Sequence, residues 1–137
     1  MKSPLLALTL VIAPLSAIAQ SEPSGFLSPS KNIACQYFVD GKTADIRCDI
    51  MEATVSVPKP KDCELEWGRA FEISKTGKSG MRICHGDTIM DPKLPMLNYG
   101  ETFQRGGFTC KSEQTGVTCS NADRHGFSIS RGAQSVF

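Results

Sequence analysis

The stretch CHGDT, residues 84–88, brings a cysteine, a histidine and a carboxylate together within five positions. Imidazole and carboxylate groups of the kind that His85 and Asp87 carry ligate zinc and act in general acid–base catalysis. The chain has one further histidine, His125 in RHGF, and Arg131 follows it by six residues. The candidate ligand-contacting residues are therefore His85, Asp87, His125 and Arg131.

A tight turn is the simpler interpretation of CHGDT. Gly86 followed by Asp87 is typical of a turn in which the Asp side chain bonds a backbone N–H two residues on, and Thr88 suits the same role. The sequence marks no third metal ligand and no GxSxG elbow that would activate a serine. We therefore favour a structural corner over a ligand contact, and a ligand contact over metal binding or catalysis. We assign no catalytic, metal-binding or cofactor-binding residue and expect no cofactor.

The second histidine belongs to a predicted strand. A period of two gives one face of this strand to His125, Phe127, Ile129 and Arg131. Because the two apolar side chains point to the core, we expect His125 and Arg131 at its two rims. A buried-side Arg131 would need a carboxylate such as Asp87 or Asp123, whereas an Arg stem that covers apolar surface is the simpler interpretation.

The N-terminus, MKSPLLALTLVIAPLSAIAQ, is organised like a secretory signal peptide, with one Lys, an apolar run and the small-residue pattern AIA. We expect cleavage after Ala19, which removes residues 1–19 and leaves residues 20–137 as one exported domain. The apolar run is interrupted by two prolines and is shorter than the roughly 20 residues that a spanning helix needs. We therefore expect a periplasmic or secreted protein without a membrane span.

The charge of the mature chain is close to zero. Removing Lys2 with the leader leaves 14 basic residues against 14 acidic ones. No basic run is longer than KPK at residues 59–61, so the composition argues against nucleic acid as a partner. No internal repeat is apparent, and we expect a monomer.

All six cysteines follow the leader. An even count behind a signal peptide is typical of a disulfide framework formed in an oxidising compartment. The spacing contains no CxxC or other paired metal-ligand pattern, so we expect no structural zinc site. Oxidation of all six thiols would also remove any cysteine nucleophile.

The stretch NIACQYFVDGKTADIRCDI predicts a β-hairpin with its turn at residues 40–43. In that register Cys35 faces Cys48 on the apolar side, while Arg47 and Asp49 lie on the opposite face. A slip of one residue would exchange the two faces. Alternation and cysteine position support the same register, which predicts the disulfide Cys35–Cys48.

Two more hairpins follow. A tight loop near residues 114–115 in GFTCKSEQTGVTCSN places Cys110 opposite Cys119, although a bulge at Gly116 would shift this register. By elimination Cys63 joins Cys84.

The stretch FEISKTGKSGMRIC predicts a hairpin with Phe71 and Ile73 on one strand and Met81 and Ile83 on its return. Core parity belongs to Ile83, which leaves Cys84 on the other face or just beyond the strand.

Further strands are predicted at residues 101–105, 107–112, 117–121 and 126–131, with a single helical turn at residues 63–67. No segment shows a sustained period of 3.6 residues. The predicted fold class is therefore all-β, a small antiparallel barrel or sandwich of about seven or eight short strands with three disulfides.

Five stretches together resemble a family of small secreted bacterial proteins of unknown function: FLSPSKNIAC, RCDI, KPKDCELEWG, CHGDT and GFTCKSEQTGVTCSNADRHGFSISR. The resemblance covers nearly all of the mature chain. It implies that the position of His85 varies, that the GDT and HGF stretches recur, and that Arg124 stands where a Gly is common. It implies no activity, substrate or cofactor, and it shifts attention from His85 to Asp87 and His125.

The leading hypothesis is a non-enzymatic, exported binding or interaction domain whose partner is an envelope protein, an extracellular protein or a small ligand. It is favoured because the chain has a leader and a disulfide pattern but no assembled catalytic set. The alternative from another class is a small hydrolase or metal-dependent enzyme that uses Asp87, His125 and Arg131. A structural component of the cell envelope is the third hypothesis.

Overall fold

Short runs of alternating apolar and polar residues give the chain ten antiparallel strands in two five-stranded sheets. The computed structural model describes Ala13 and residues 22–137. The predicted signal peptide, residues 1–19, lies outside the described residues apart from Ala13. Within the described part of the chain, no helix is long and apolar enough to cross a membrane.

Each sheet is a meander in which every strand pairs with the next one along the chain. The first sheet consists of β1 (Gly25–Leu27), β2 (Ile33–Asp40), β3 (Thr43–Ile50), β4 (Ala70–Ser74) and β5 (Met81–Arg82). The second sheet consists of β6 (Thr102–Arg105), β7 (Phe108–Glu113), β8 (Gly116–Ser120), β9 (Gly126–Ile129) and β10 (Gln134–Val136).

The two sheets pack face to face around one apolar core, which makes the molecule a sandwich. The predicted all-β class is confirmed, but the barrel alternative is wrong because each sheet keeps its own two edge strands. The expected count of seven or eight strands is also wrong. The two additional strands, β1 and β10, have only three residues each, which is too short for alternation to show in the sequence.

The helical turn predicted at residues 63–67 is wrong as well. Glu66 instead forms an isolated antiparallel bridge with His85, in which each backbone N–H donates to the other residue's carbonyl, at 2.9 and 3.1 Å. A disulfide between Cys63 and Cys84 ties these two segments together. Pairing across the disulfide thus satisfies backbone groups that a local helical turn would otherwise have used.

Two of the three predicted hairpin registers are confirmed. The core parity predicted for FEISKTGKSGMRIC is wrong, because Phe71 pairs with Arg82 and Met81 lies exposed opposite Glu72. In the first hairpin Cys35 pairs with Cys48, and the strands extend to a two-residue turn in which Gly41 has a φ of 59°. In the second, Cys110 pairs with Cys119 without the alternative shift at Gly116. The structure joins Cys35–Cys48, Cys63–Cys84 and Cys110–Cys119, which are the three predicted pairs.

Each sheet presents to the core a row of four side chains in the order Phe, Cys, Cys, Phe. Across the first four strands of each sheet, the register aligns Phe26, Cys35, Cys48 and Phe71 in one row and Phe103, Cys110, Cys119 and Phe127 in the other. Equivalent members of the rows touch: the Phe26 and Phe103 ring centroids are 5.2 Å apart, and those of Phe71 and Phe127 are 5.9 Å apart. The sulfurs of Cys48 and Cys119 are 3.6 Å apart. Equivalent positions of the two rows therefore contact each other across the core.

The disulfides are expected to differ in what their removal costs. Loops of 13 and 21 residues each contribute about 3 kcal/mol in the chain-entropy account, so the pairs Cys35–Cys48 and Cys63–Cys84 have similar entropic terms. Cys35 and Cys48 are fully buried, whereas Cys84 is exposed. Replacing the core pair by Ala also removes packing worth about 2 kcal/mol. Urea unfolding should therefore show a larger loss for Cys35→Ala with Cys48→Ala than for Cys63→Ala with Cys84→Ala. An equal or smaller loss would contradict this prediction.

Candidate functional site

Asp49 is a charged residue on the outer face of the first sheet, yet its side chain is 1% exposed. The cause is the connection between the two sheets, residues 83–101, which crosses over this face. The backbone carbonyl of Ile89 accepts a hydrogen bond from Gln36 Nε2 at 2.7 Å. Farther along the connection, Leu97 N donates to the carbonyl of Leu27 at 2.9 Å. We call residues 83–101 the inter-sheet connection.

Four hydrogen bonds converge on the Asp49 carboxylate. Arg47 donates to Oδ1 from Nε at 2.8 Å and to Oδ2 from Nη2 at 3.0 Å. The Thr88 hydroxyl donates to Oδ2 at 2.9 Å, and Ile89 N–H donates to Oδ2 at 3.0 Å. Arg47 Nη2 also donates to the carbonyl of Asp87 at 3.1 Å. A buried charge is tolerated only when it is paired and hydrogen-bonded, and these contacts therefore fix the corner formed by residues 87–89.

We call these hydrogen bonds of Asp49 with Arg47, Thr88 and Ile89 the clasp. The clasp joins the RCDI stretch to the CHGDT stretch. The predicted corner is present, and Thr88 has the predicted local role, since its hydroxyl accepts a hydrogen bond from Met90 N at 3.1 Å. The Asp87 carboxylate does not have that role among residues 22–137, because Asp87 enters the hydrogen bonds there through its carbonyl. Sequence reasoning missed Asp49 because strand parity predicts an exposed position. The available signal was the Arg and Asp on one strand face two residues apart.

A pocket of about 320 Å³ opens beside the clasp. Its walls come from the end of β3, the start of β4 and both sides of the Glu66–His85 bridge. They include Asp49, Met51, Glu66, Arg69 and residues 85–88. The predicted candidates His85 and Asp87 are thus brought together in one concave surface.

His85 has unused hydrogen-bonding capacity in this pocket. Both ring nitrogens are buried and have no hydrogen-bond partner within the described residues. The neighbouring Trp67 Nε1 is also buried without a partner. Buried polar atoms in proteins are nearly always hydrogen-bonded to protein, water or a ligand. The bridge with Glu66 therefore places the imidazole in the pocket wall with both ring nitrogens covered by protein.

Charged side chains complete the pocket. Glu66, Arg69 and Asp87 all line it, and within residues 22–137 none of the three side chains forms an ion pair. Two carboxylates and one guanidinium thus remain available to a polar ligand. The sequence offered no signal for Glu66 and Arg69, because the chain brings them to the pocket only through the Cys63–Cys84 disulfide and the start of β4.

The other two predicted candidates lie elsewhere. His125 and Arg131 flank β9 at opposite ends, as predicted, which separates them by roughly 20 Å at 3.3 Å per residue. Arg131 Nη2 is 3.0 Å from Glu52 Oε2 in an exposed ion pair. His125 N donates to Asn121 Oδ1 at 3.1 Å. No hydrogen bond or ion pair in the described part of the chain joins Asp87, His125 and Arg131.

A family model described as a family of unknown function, DUF6636, matches residues 2–137. The chain belongs to this family. No curated protein and no solved structure shows a significant match. Membership agrees with the predicted resemblance to a family of unknown function, and it supplies no activity, so any role for the family's fold has to be argued from the site itself.

On the outer face of the first sheet, burial changes the pKa of one carboxyl group, that of Glu72. Glu72 pairs across the strands with Arg47, the residue that holds Asp49. Partial burial raises the pKa of Glu72 above its ordinary value, and the charge of Asp45 raises it further, while Arg47 acts in the opposite direction. This part of the face therefore disfavours an additional negative charge.

Replacing the clasp carboxylate is expected to be costly. Asp49→Ala leaves the mostly buried Arg47 side chain without its partner and should lower the free energy of unfolding by about 3–5 kcal/mol. Asp87→Ala is the matched control, because only its backbone carbonyl takes part in the clasp. It should change stability by less than about 0.5 kcal/mol. Urea unfolding of both variants measures the difference, and similar losses for the two would show that Asp49 does not hold the connection.

Glu72 should make stability depend on pH. Because its pKa is raised in the folded state, the folded chain holds this proton more tightly than the unfolded chain, and stability falls as pH rises from the ordinary pKa to the raised one. Glu72→Gln should remove that part of the pH dependence and stabilise the protein at neutral pH. Thermal unfolding at a series of pH values checks this. A parallel pH profile for wild type and variant would refute it.

Proposed function

We propose that this chain is an exported, disulfide-stabilised binding domain that acts in the cell envelope or outside the cell as a monomer. Its partner is an envelope protein, an extracellular protein or a small ligand. The partner contacts the pocket that residues 85–88 help to line. The partner is neither a nucleic acid nor a membrane that the chain would span.

The observation that carries this proposal is a rigid pocket wall that holds Glu66, Arg69 and Asp87, none of which forms an ion pair within residues 22–137. The clasp at Asp49 fixes residues 87–89 by hydrogen bonds on one side, and the Glu66–His85 bridge fixes the other. Between them, the ring nitrogens of His85 have no partner among residues 22–137. Preformed concave sites with a few well-placed polar groups are typical of ligand binding.

Export is supported by the pattern of residues 1–19 and by the disulfides. Three disulfides connect all six cysteines, and no free cysteine is present among the described residues. Disulfides of this density persist in the periplasm and outside the cell, while thiols in the cytosol are kept reduced. The three disulfides would keep this small domain folded, and its pocket intact, outside the cytosol.

The chemistry of the pocket favours a polar ligand with an apolar part. The carboxylates of Glu66 and Asp87 and the guanidinium of Arg69 offer both signs of charge. At the rim, Leu65 is exposed and lies next to Gly86, and Met51 adds apolar surface. A ligand that pairs with these charges while covering Leu65 and Met51 would use all of these groups.

The geometry supports binding more than the enzymatic alternative. The hydrolase or metal-dependent hypothesis requires Asp87, His125 and Arg131 to act together, but His125 and Arg131 flank β9 at its two ends. Arg131 is engaged by Glu52 instead of Asp87. A purely structural role in the envelope is tested by deletion, which should then impair envelope integrity.

A bulky residue at Gly86 tests the pocket directly. Gly86 lies in the pocket wall, and a Cβ there would meet only Leu65, at 3.9 Å, without a positive φ. Gly86→Phe should therefore fill the pocket while leaving the fold intact. Gly132→Phe is the control, because that position opens to solvent, has no positive φ and lies outside this pocket.

The measurement is capture from envelope extract and culture fluid by immobilised, oxidised chains spanning residues 20–137. Wild type and Gly132→Phe should retain the same molecule, identified by mass spectrometry, and Gly86→Phe should lose it. Thermal unfolding verifies that both variants are folded. Capture at background level by the wild type, or equal capture by Gly86→Phe, would overturn the proposal.

A further inference from the structure

A second pocket, of about 190 Å³, is formed by loops of both sheets. One wall is the loop between β1 and β2, residues 28–33. The other is the turn between β7 and β8, residues 113–116, together with Ser130 and Arg131, which follow β9. Tyr99 of the inter-sheet connection also lines this pocket, which shares no residue with the pocket beside the clasp. We call it the loop pocket.

We propose that the loop pocket binds one ring of a neutral saccharide, with Tyr99 as its aromatic platform. A sugar ring has a face of C–H groups and an edge of hydroxyls, so a protein recognises it with an aromatic ring beside groups that both donate and accept hydrogen bonds. Tyrosine combines an apolar ring with a polar end. The Tyr99 side chain lines the pocket and is still 47% exposed, which leaves its ring available to a ligand.

The turn that carries Tyr99 is held in place from both sides. Asn98 N–H donates to Glu101 Oε2 at 2.8 Å, and Glu101 N–H donates to the carbonyl of Asn98 at 3.0 Å. Gly100 N–H donates to the carbonyl of Ser112 at 2.7 Å, and Ser112 N–H donates to the carbonyl of Glu101 at 3.1 Å. The turn is thus attached to β7, and a platform on a fixed support binds without first having to be ordered.

The wall between β1 and β2 is preformed as well. Ser28 N–H donates to the carbonyl of Ile33 at 2.9 Å, and Ile33 N–H donates back to Ser28 Oγ at 3.1 Å. The Asn32 amide exchanges two hydrogen bonds with the backbone of Glu52, at 2.7 and 3.0 Å. Ser28 and Asn32 therefore use their polar groups to fix the wall.

The opposite wall keeps its polar groups for a ligand. The turn is tight, since Glu113 pairs with Gly116, and a Cβ at Gly116 would lie 2.0 Å from the carbonyl oxygen of Ile129. Gln114 and Thr115 form the tip of this turn and line the pocket with exposed side chains. An amide and a hydroxyl each donate and accept hydrogen bonds, which matches the hydroxyls of a sugar.

The charges of the loop pocket favour a neutral ligand. Its two charged lining residues both have partners: Glu113 Oε1 is 3.2 Å from Lys111 Nζ, and Arg131 Nη2 is 3.0 Å from Glu52 Oε2. Sites for phosphate or carboxylate groups use Arg or Lys side chains that are free to bind the anion. The pocket is also smaller than the roughly 300–1,000 Å³ of sites for drug-sized ligands, which suits a single ring.

This inference is independent of the pocket that residues 85–88 help to line. It gives one of the residues singled out in the sequence, Arg131, a place in a binding surface other than that of Asp87. The sugar ring could belong to a soluble saccharide or to an insoluble glycan polymer, since both present the same chemistry.

The test is an NMR titration of the oxidised mature chain, residues 20–137, with three trisaccharides: maltotriose, cellotriose and tri-N-acetylchitotriose. At least one of them should shift the backbone amides of Tyr99, Gly100, Gln114 and Thr115 in a saturable way. The amides of Arg69 and Thr88, in the other pocket, should not move. Glycerol at the same hydroxyl concentration should produce no saturable shift, because it has hydroxyls but no ring.

Substitutions separate the platform from a general loss of aromatic surface. Tyr99→Ala should weaken binding of the active trisaccharide about tenfold, while Tyr99→Phe, which keeps the ring, should weaken it much less. Phe38→Ala is the matched control, because Phe38 is 42% exposed and lies outside the loop pocket. It should bind like the wild type, and so should Gly86→Phe, which fills the other pocket. Thermal unfolding verifies that each variant is folded.

Absence of saturable shifts with all three trisaccharides would overturn the proposal. So would equal shifts with glycerol, or unchanged affinity in folded Tyr99→Ala. Co-sedimentation with chitin and cellulose distinguishes the sources of the sugar. Sedimentation that Tyr99→Ala abolishes would assign the ring to an insoluble polymer, and trisaccharide binding without sedimentation would assign it to a soluble saccharide.

Discussion

The structure depends on one buried carboxylate, that of Asp49. An unpaired charge in this position would cost more than a small domain could compensate, so the chain has to bring donors to it. Arg47 comes from the same strand, but Thr88 and Ile89 come from the inter-sheet connection. Satisfying Asp49 therefore fixes the path of the connection over the first sheet, and that path creates the pocket in which His85 and Asp87 lie.

The two core disulfides, Cys35–Cys48 and Cys110–Cys119, organise the other half of the fold. They touch across the core, and the aromatic pairs Phe26–Phe103 and Phe71–Phe127 flank them. The result is a rigid core on which the connection can be clasped from outside. Stability and binding are thus assigned to different places: the centre of the sandwich holds the sheets together, and the outer face of the first sheet carries the candidate site.

Features set by residues close together in the chain could be predicted from the sequence, whereas features set by distant residues could not. The hairpin around Cys35 and Cys48 was predictable because alternation and cysteine position specify one register locally. Strands of three residues, such as β1 and β10, show no period and were not predicted. The burial of Asp49 depends on residues 40 positions away in the chain, so parity predicted an exposed side chain. The place of His85 in the pocket wall was not predictable either, since it comes from a backbone bridge to Glu66.

The most direct test of this account is amide hydrogen exchange in the oxidised chain, measured by NMR. Ile89 N–H donates to the buried Asp49 carboxylate, whereas Lys93 N–H donates to Asp91 within the same connection on the exposed surface. If Asp49 holds the connection, Ile89 should exchange about as slowly as the core-strand amide of Ile50 and far more slowly than Lys93. Exchange of Ile89 at the rate of Lys93 would contradict the account.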